Sequence, residues 1–394
     1  MSRNIENLRR LNNDRIDYSS ASGDLPLPNF VEVQATSYDE FKNKGLDDVL
    51  REAFPITGQS ASDKISVDYI KCEIGEPKHT EQECRDRSLT YSAPIHATLL
   101  LKENDIPRGP EGGESVYLGD FPLMTKSKTF IVNGAERVIV SQLIRSPGAY
   151  FKIESKSGKN IYYADLLPNR GTWLQFESDP KKDVLSVRID RQRKLNATLL
   201  IRAIGIEKDE DILALFGDYD CLKNTIDKDA EIVKSARGSL MEIFRKMKPG
   251  EPISDDGIVN YLVQKYFDAK RYNLGRAGRF KFRKKLGIYQ RLVGCTLAQN
   301  IEADGVLYFA KGHTLSQADV DELHNMELFD TNYVVSLNVN KSLDDHNKVN
   351  IIKVYADDTR KRVVNIIGCD LTDISATVTI SDIIAFFSYF LNFM

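Results

Sequence analysis

Motifs that carry out covalent chemistry are missing from this chain. There is no GxxxxGK[ST] phosphate loop, no GxGxxG opening a helix after a strand, and neither HExxH nor GxSxG. Sequence grounds for a stand-alone nucleotide hydrolase, dinucleotide enzyme, zinc protease or serine hydrolase are therefore absent. Cysteine is sparse and odd in number, at Cys72, Cys84, Cys221, Cys295 and Cys369, with no CxxC pair. That usage fits free thiols in a reducing cytosol and a cytoplasmic protein. Histidine is scattered over His79, His96, His313, His324 and His346, with no Ser or Cys placed beside any of them. The only metal-like cluster, Cys72, His79 and Cys84, lacks a fourth ligand. It reads either as a zinc site or as a turn and helix start carrying thiols, and the missing ligand favours the latter, so no metal is expected. Net charge is −3, which gives no overall basic field, and any nucleic-acid contact has to come from local patches. The N-terminus has no apolar signal core, and the longest apolar run, Ile383 to Met394, is too short to span a bilayer, so no membrane partner is expected.

The 394 residues suffice for two or three domains of α+β class. Residues 1–26 are polar and weakly patterned, and predict a mobile arm. Ser37 and Glu40 have capping-box spacing ahead of an amphipathic face, Leu46, Val49, Leu50, Ala53 and Phe54, which Pro55 stops. Ile65, Val67 and Tyr69 alternate as in a strand, and so do the odd positions from Tyr91 to Leu101. Asn133-Gly134 marks a tight reversal, and Asp304-Gly305 another. The stretch 206–270 has helix-period apolar positions. Ser316 and Asp319 open a short helix, and strands follow around 333–368. The final apolar helix, Ile383–Met394, predicts cover from a continuing chain or from a partner, with a risk of self-association if it is left bare.

Two basic stretches stand out. One is RIDRQRK, with Arg188, Arg191 and Arg193. The other is RYNLGRAGRFKFRKKLG, where Tyr272, Phe280 and Phe282 interleave with the cations. Clustered cations neutralise phosphates, and interleaved aromatics can stack on bases. Equally, such a stretch can be a solvated face whose aromatics point into the core. Trp173, the sole tryptophan, lies in NRGTWLQFE beside Arg170. It reads as a core or turn anchor, or as an exposed ring on which a base can stack. Arg145 leads into the rigid Ser146-Pro147-Gly148 corner, which can hold a cation in one place.

The segments NFVEVQATSYDEF, VYLGDFPLMT, FIVNGAERVIVSQLIRSPGAYF, LPNRGTWLQFE, VRIDRQRKLNATLLIRAIG, KRYNLGRAGRFKFRKKL and DIIAFFSYFLNFM follow one another in a familiar order. From about Pro28 to Met394 the chain resembles the N-terminal part of the bacterial RNA polymerase β subunit. The resemblance implies two mixed modules, with the lobe (141–374) inserted in a discontinuous protrusion (27–140 and 375–394). Together these line one wall of the DNA channel. It implies that Arg145 and Trp173 belong to a pocket reading non-template-strand bases, Trp173 by stacking and Arg145 at a base edge or the backbone. Arg188, Arg191 and Arg193 would face DNA, and Val140 would stand at the edge of the rifamycin pocket.

It also implies an enzyme, DNA-directed RNA polymerase, only as a whole complex. This piece would have no catalytic residue and no cofactor, the magnesium of the full polymerase being held by another subunit. Implied partners are the β′, α and σ subunits, DNA, and regulators such as a transcription–repair coupling factor docking before Val116. There the chain reads GPEGGES, without the usual β-branched residue. The competing reading, on the residues alone, is a pure protein-interaction module with no direct DNA role.

Overall fold

The computed structural model describes residues 10–11, 15–16, 29–59, 64–110, 112–156, 158–303, 305–331, 334–336, 348–369 and 375–394. Apart from a two-residue ladder of β1 (Arg10–Leu11) and β2 (Arg15–Ile16), the expected N-terminal arm lies outside these residues, as do Asp304 and His346. The chain divides into two compact units, 1–143 and 144–394. Among the described residues no helix is long and apolar enough to cross a membrane.

In the first unit, α1 (Glu32–Glu40) runs through a π-helical stretch, Phe41–Gly45, into α2 (Leu46–Ala53). The helix starts earlier than the Ser37 cap predicts. Tyr38 and Phe41 both stack on Phe121, with centroids 6.0 and 6.1 Å away, and this packing outweighs the local capping signal. Asn29 turns the entry instead, its side-chain oxygen accepting the Val31 N–H at 3.2 Å. An antiparallel sheet follows, made of β3 (Ile56–Gln59), β4 (Lys64–Ile74), β5 (Ser92–Glu103), β6 (Ile106–Arg108) and β7 (Glu114–Pro122). Ala93, Ile95 and Ala97 of β5 point to the core, as their alternation predicts. Between β4 and β5, Thr80 caps α3 (Glu81–Asp86) in a full capping box with Glu83.

The Cys72–Cys84 cluster is thus a strand residue, a turn and a capped helix. Burial pushes both thiols up. Among the described residues no group of three or more His, Cys, Asp or Glu side chains could hold a metal ion. Asn133 and Gly134, both at positive φ, close the hairpin of β8 (Phe130–Val132) and β9 (Ala135–Arg137).

The second unit opens on a five-stranded antiparallel meander. Its strands are β10 (Gly148–Lys156), β11 (Lys159–Leu167), β12 (Leu174–Asp179), β13 (Val184–Ile189) and β14 (Lys194–Asn196), in chain order. The helices α4 (Ala197–Ala203), α5 (Asp209–Phe216), α6 (Asp220–Asp227), α7 (Ala236–Met247), α8 (Asp255–Leu262), α9 (Gly275–Leu286) and α10 (Ile288–Leu292) follow. A second, smaller core is built by β15 (Thr296–Leu297), β16 (Ile301–Ala303), β17 (Val306–Phe309), α11 (Gln317–Asn325), α12 (Leu328–Thr331), β19 (Lys348–Tyr355) and β20 (Val363–Gly368), and β18 (Val334–Ser336) pairs with β19. Ser316 and Asp319 form the capping box of α11 that their spacing predicts. The chain then enters α13 (Ile380–Phe393) through a Thr379–Asp382 capping box.

The meander has two chemically distinct faces. Ala149, Ala164, Leu166, Leu174, Phe176, Val187 and Leu195 alternate onto the core face. Onto that face packs α13, with Phe386 5.3 Å from Phe151, and with Phe387 4.9 Å from Phe176 and 5.0 Å from Phe216. The expectation of a bare apolar helix is therefore overturned. Ile383 to Ser388, Phe390 and Leu391 are buried by the chain itself, because a helix apolar on all sides finds both the sheet and α9 to pack on. The helix also belongs to the second unit by its packing, whereas the resemblance grouped 375–394 with the first module. Burying each of these phenylalanines contributes about 1.5–3 kcal/mol.

In α4, Arg202 is fully buried and ion-paired with Asp229 at 3.3 Å and with Asp209 at 2.5 Å. Asp229 also accepts Asn196 and Thr198 at 3.0 Å each. Replacing Asp229 by alanine removes the fully buried one of Arg202's two carboxylate partners and leaves Asn196 and Thr198 without their acceptor, and should destabilise the second unit by about 3–5 kcal/mol. Asp209, exposed enough to be replaced by water, should cost about 1 kcal/mol when changed to alanine. Urea unfolding followed by circular dichroism checks both, and equal small losses would show that Asp229 does not anchor the network.

Candidate nucleic-acid interface

The solvent-side face of the meander is polar, and one register row crosses all five strands. Tyr150 pairs with Asp165, Asp165 with Gln175, Gln175 with Arg188, and Arg188 with Lys194. At one end of this row stands Arg145. Its guanidinium lies 3.9 Å from the Tyr150 ring centroid and 3.7 Å from the Asp165 carboxylate. Asp165, itself buried, also accepts Gln175 at 2.5 Å. The Tyr150 hydroxyl donates to the Ser146 carbonyl at 2.6 Å, tying the Ser146-Pro147-Gly148 corner to the strand it feeds. A Cβ at Gly278 of α9 would stand 2.8 Å from the Pro147 Cβ, so the corner seats directly on the helix backbone. Arg145 is thereby fixed in direction while its side chain stays half exposed.

At the other end of the row two cations share one carboxylate. Glu177 takes Lys194 at 2.6 Å and Arg188 at 3.5 Å while itself buried. The structure thus places Arg188 in an ion pair on the sheet. Arg191 and Arg193 are exposed in the turn between β13 and β14. Asp190 and Arg191 both have positive φ, and the Gln192 N–H closes the turn on the Ile189 carbonyl at 3.1 Å. This turn aims the Arg191 guanidinium over the Trp173 ring, 3.6 Å from its centroid.

Trp173 is half-buried and held by its backbone. Its carbonyl accepts the Asp190 N–H at 2.8 Å and the Tyr266 hydroxyl at 3.4 Å. Just upstream, Arg170 and Asn273 exchange backbone hydrogen bonds, and Gly171 packs on Tyr272, where a Cβ would meet ring carbon Cδ2 at 2.7 Å. Trp173 stands just ahead of β12, whose first residue, Leu174, pairs with Leu166 of β11. Of the sequence-predicted residues, Arg188 lies on the sheet itself, Arg145 and Trp173 precede β10 and β12, and Arg191 and Arg193 share the turn between β13 and β14.

Sequence reasoning missed Tyr150, Asp165, Gln175 and Glu177. The signal was available, because strand alternation puts these residues on the same face as Arg188 and Lys194. In the second basic stretch Tyr272 and Phe282 are core residues, Arg279 is buried, and Phe280 is exposed. The aromatics there divide between the two readings. Val140 belongs to the first unit, in the run Val138–Leu143, which joins no strand and is held by Gln34 donating to the Ile139 carbonyl at 2.9 Å. Val138, Ile139, Val140 and Leu143 are all exposed.

Two family profiles match. Residues 29–129 match a family described as RNA polymerase beta subunit, and residues 145–293 match RNA polymerase Rpb2, domain 2. The chain is 39% identical over 385 residues to the DNA-directed RNA polymerase subunit beta of Listeria welshimeri, covering 96% of this chain and 32% of that protein. The same subunit of Staphylococcus haemolyticus is 40% identical over 391 residues, with the same coverage of each chain. The chain thus spans about a third of the length of the curated relatives it matches. Long motifs in family order, two adjoining family domains and near-complete coverage at this identity agree: the chain belongs to the bacterial RNA polymerase β subunit family, in its N-terminal region.

Proposed function

We propose that the chain forms a wall of the DNA channel in a bacterial DNA-directed RNA polymerase, the first unit acting as protrusion and the second as lobe. In this reading it touches downstream DNA and the non-template strand, docks on the β′, α and σ subunits, and offers a surface to transcription regulators. It contributes to RNA synthesis by holding DNA rather than by reacting with it, and magnesium is held by another subunit. One observation carries the reading: the sole tryptophan is half exposed and backbone-locked just ahead of β12, with the Arg191 guanidinium lying over its ring.

An unpaired base stacks on Trp173, and Arg145 meets a neighbouring base edge or phosphate. Base stacking is worth about 1–3 kcal/mol, and displacing Arg191 from the ring costs about 0.5–2 kcal/mol. The near balance makes DNA binding by this chain weak. The displaced Arg191 becomes available to a phosphate beside Arg193, which recovers part of the cost. Because Arg188 is drawn onto Glu177 and is less exposed, the turn cations Arg191 and Arg193 contribute more to the salt dependence than Arg188 does.

A second reading, protein docking without DNA contact, is favoured by the internal pairing of the sheet's cations and by the exposed apolar run Val138–Leu143. Titration with bubble-mimic DNA separates the two. Trp173 emission should be quenched, and the quenching should weaken as salt rises. The Arg145→Ala, Trp173→Ala double variant, followed by anisotropy of labelled DNA, should bind about tenfold more weakly or worse. Equal affinity of the variant and the native chain would sink the DNA reading and support docking.

Gly171→Ala should act through position alone. The added methyl displaces Tyr272 or the turn before Trp173, so DNA quenching should fall while the contacts of Arg145 stay intact. Unchanged quenching with a destabilised fold would show that this turn does not set the ring.

A further inference from the structure

Away from the polar sheet face, the second unit contains a cavity of about 530 Å3 between α9, α10, β20 and α13. Lys284, Lys285, Arg291, Tyr389, Asn392 and Phe393 line it, and no carboxylate does. Lys285 lies 4.9 Å from the Phe151 ring centroid, and burial lowers its pKa with no acidic group acting on it. Arg291 donates to the Ile367 carbonyl and, at 3.4 Å, to the Ser388 hydroxyl, and sits 5.2 Å from the Tyr389 ring centroid. Its partners are all neutral, and burial draws its pKa down to about 10. Asn392 accepts the Tyr219 hydroxyl on Oδ1 at 2.5 Å, which leaves its amide N–H groups to donate. Arg362 stacks on the same Tyr219 at 4.7 Å, adding a further cation at this corner.

Cations gathered in a cleft whose lining carries no counter-charge favour an anion, most of all the buried Arg291, because uncompensated charge is what burial penalises. We propose that this cavity binds an oligophosphate anion, with phosphate oxygens on Lys284, Lys285 and Arg291. A single phosphate is much smaller than 530 Å3, and the cavity has room for two or three linked phosphates. The Tyr389 and Phe393 rings add an apolar flank on which the base of a nucleoside oligophosphate can lie. The site is separate from Arg145 and Trp173, so its success or failure is independent of the DNA reading.

Calorimetric titration of the full chain with magnesium-free pyrophosphate, and separately with ATP, tests it. Both anions should bind, raise the melting temperature and weaken with added salt. The Lys284→Gln, Lys285→Gln variant should keep its circular dichroism and lose about tenfold or more in affinity, as expected for losing charge-assisted hydrogen bonds. Tighter binding of ATP than of pyrophosphate would support a nucleotide whose base lies on the rings. Equal binding would support the oligophosphate group alone as the ligand. No heat and no melting shift with either anion at millimolar concentration, or undiminished binding by the lysine variant, overturns the proposal.

Discussion

The buried ion pair between Arg279 and Asp382 is the constraint on which the second unit is organised. The two side chains meet at 2.6 Å, and the same carboxylate accepts the Thr379 N–H at 3.1 Å to start α13. Arg279 also donates from Nε to the Ser375 carbonyl at 3.2 Å. One buried charge pair thus caps a helix, fixes the segment leading into it and joins it to α9. Such a pair adds little net stability over well-packed apolar groups, but either partner alone would be strongly unfavourable, so it fixes register. From it two consequences run outward. The phenylalanines of α13 are set against the core face of the meander, and Gly278 of α9 is set against Pro147, the corner that directs Arg145.

Charge on the solvent face of the meander is arranged rather than accumulated. Two buried carboxylates, Asp165 and Glu177, each hold cations in place, and the chain's net charge of −3 gives no global attraction for DNA. Fixed, half-exposed groups serve recognition of a particular strand geometry, whereas a diffuse basic surface would bind any polyanion. The lining of the α9–α13 cavity shows the opposite arrangement, cations gathered with neutral partners, and this contrast within one unit separates the two kinds of surface.

Much of the α+β organisation was legible because it rests on period. Alternation at Ala93, Ile95 and Ala97 gives β5, Asn133-Gly134 gives a hairpin, and Ser316 with Asp319 gives a helix start. The failures came where tertiary packing overrides a local signal. Ser37 looks like a cap but lies inside α1, since Tyr38 and Phe41 pack on Phe121. The apolar run Ile383–Met394 looks uncovered in sequence, yet its cover consists of Phe151, Phe176, Phe216 and Phe282, all more than ninety residues away along the chain. At the candidate site, residue types could be read but not pairings. Nothing in RIDRQRK tells Arg188, closed by Glu177, from Arg191, laid over Trp173. Those differences arise from a sheet register and a positive-φ turn, which the linear sequence carries only implicitly.

The central claim is that Trp173 is a stacking surface for an unpaired base. With one tryptophan in the chain, a 15N-labelled sample gives a single indole N–H resonance to follow. Titrating in a short oligonucleotide that displays unpaired bases should shift that resonance saturably, while a fully paired duplex of equal length should leave it nearly unmoved. An indole resonance that stays in place while the unpaired oligonucleotide binds, as judged from backbone shifts elsewhere in the second unit, would contradict the claim.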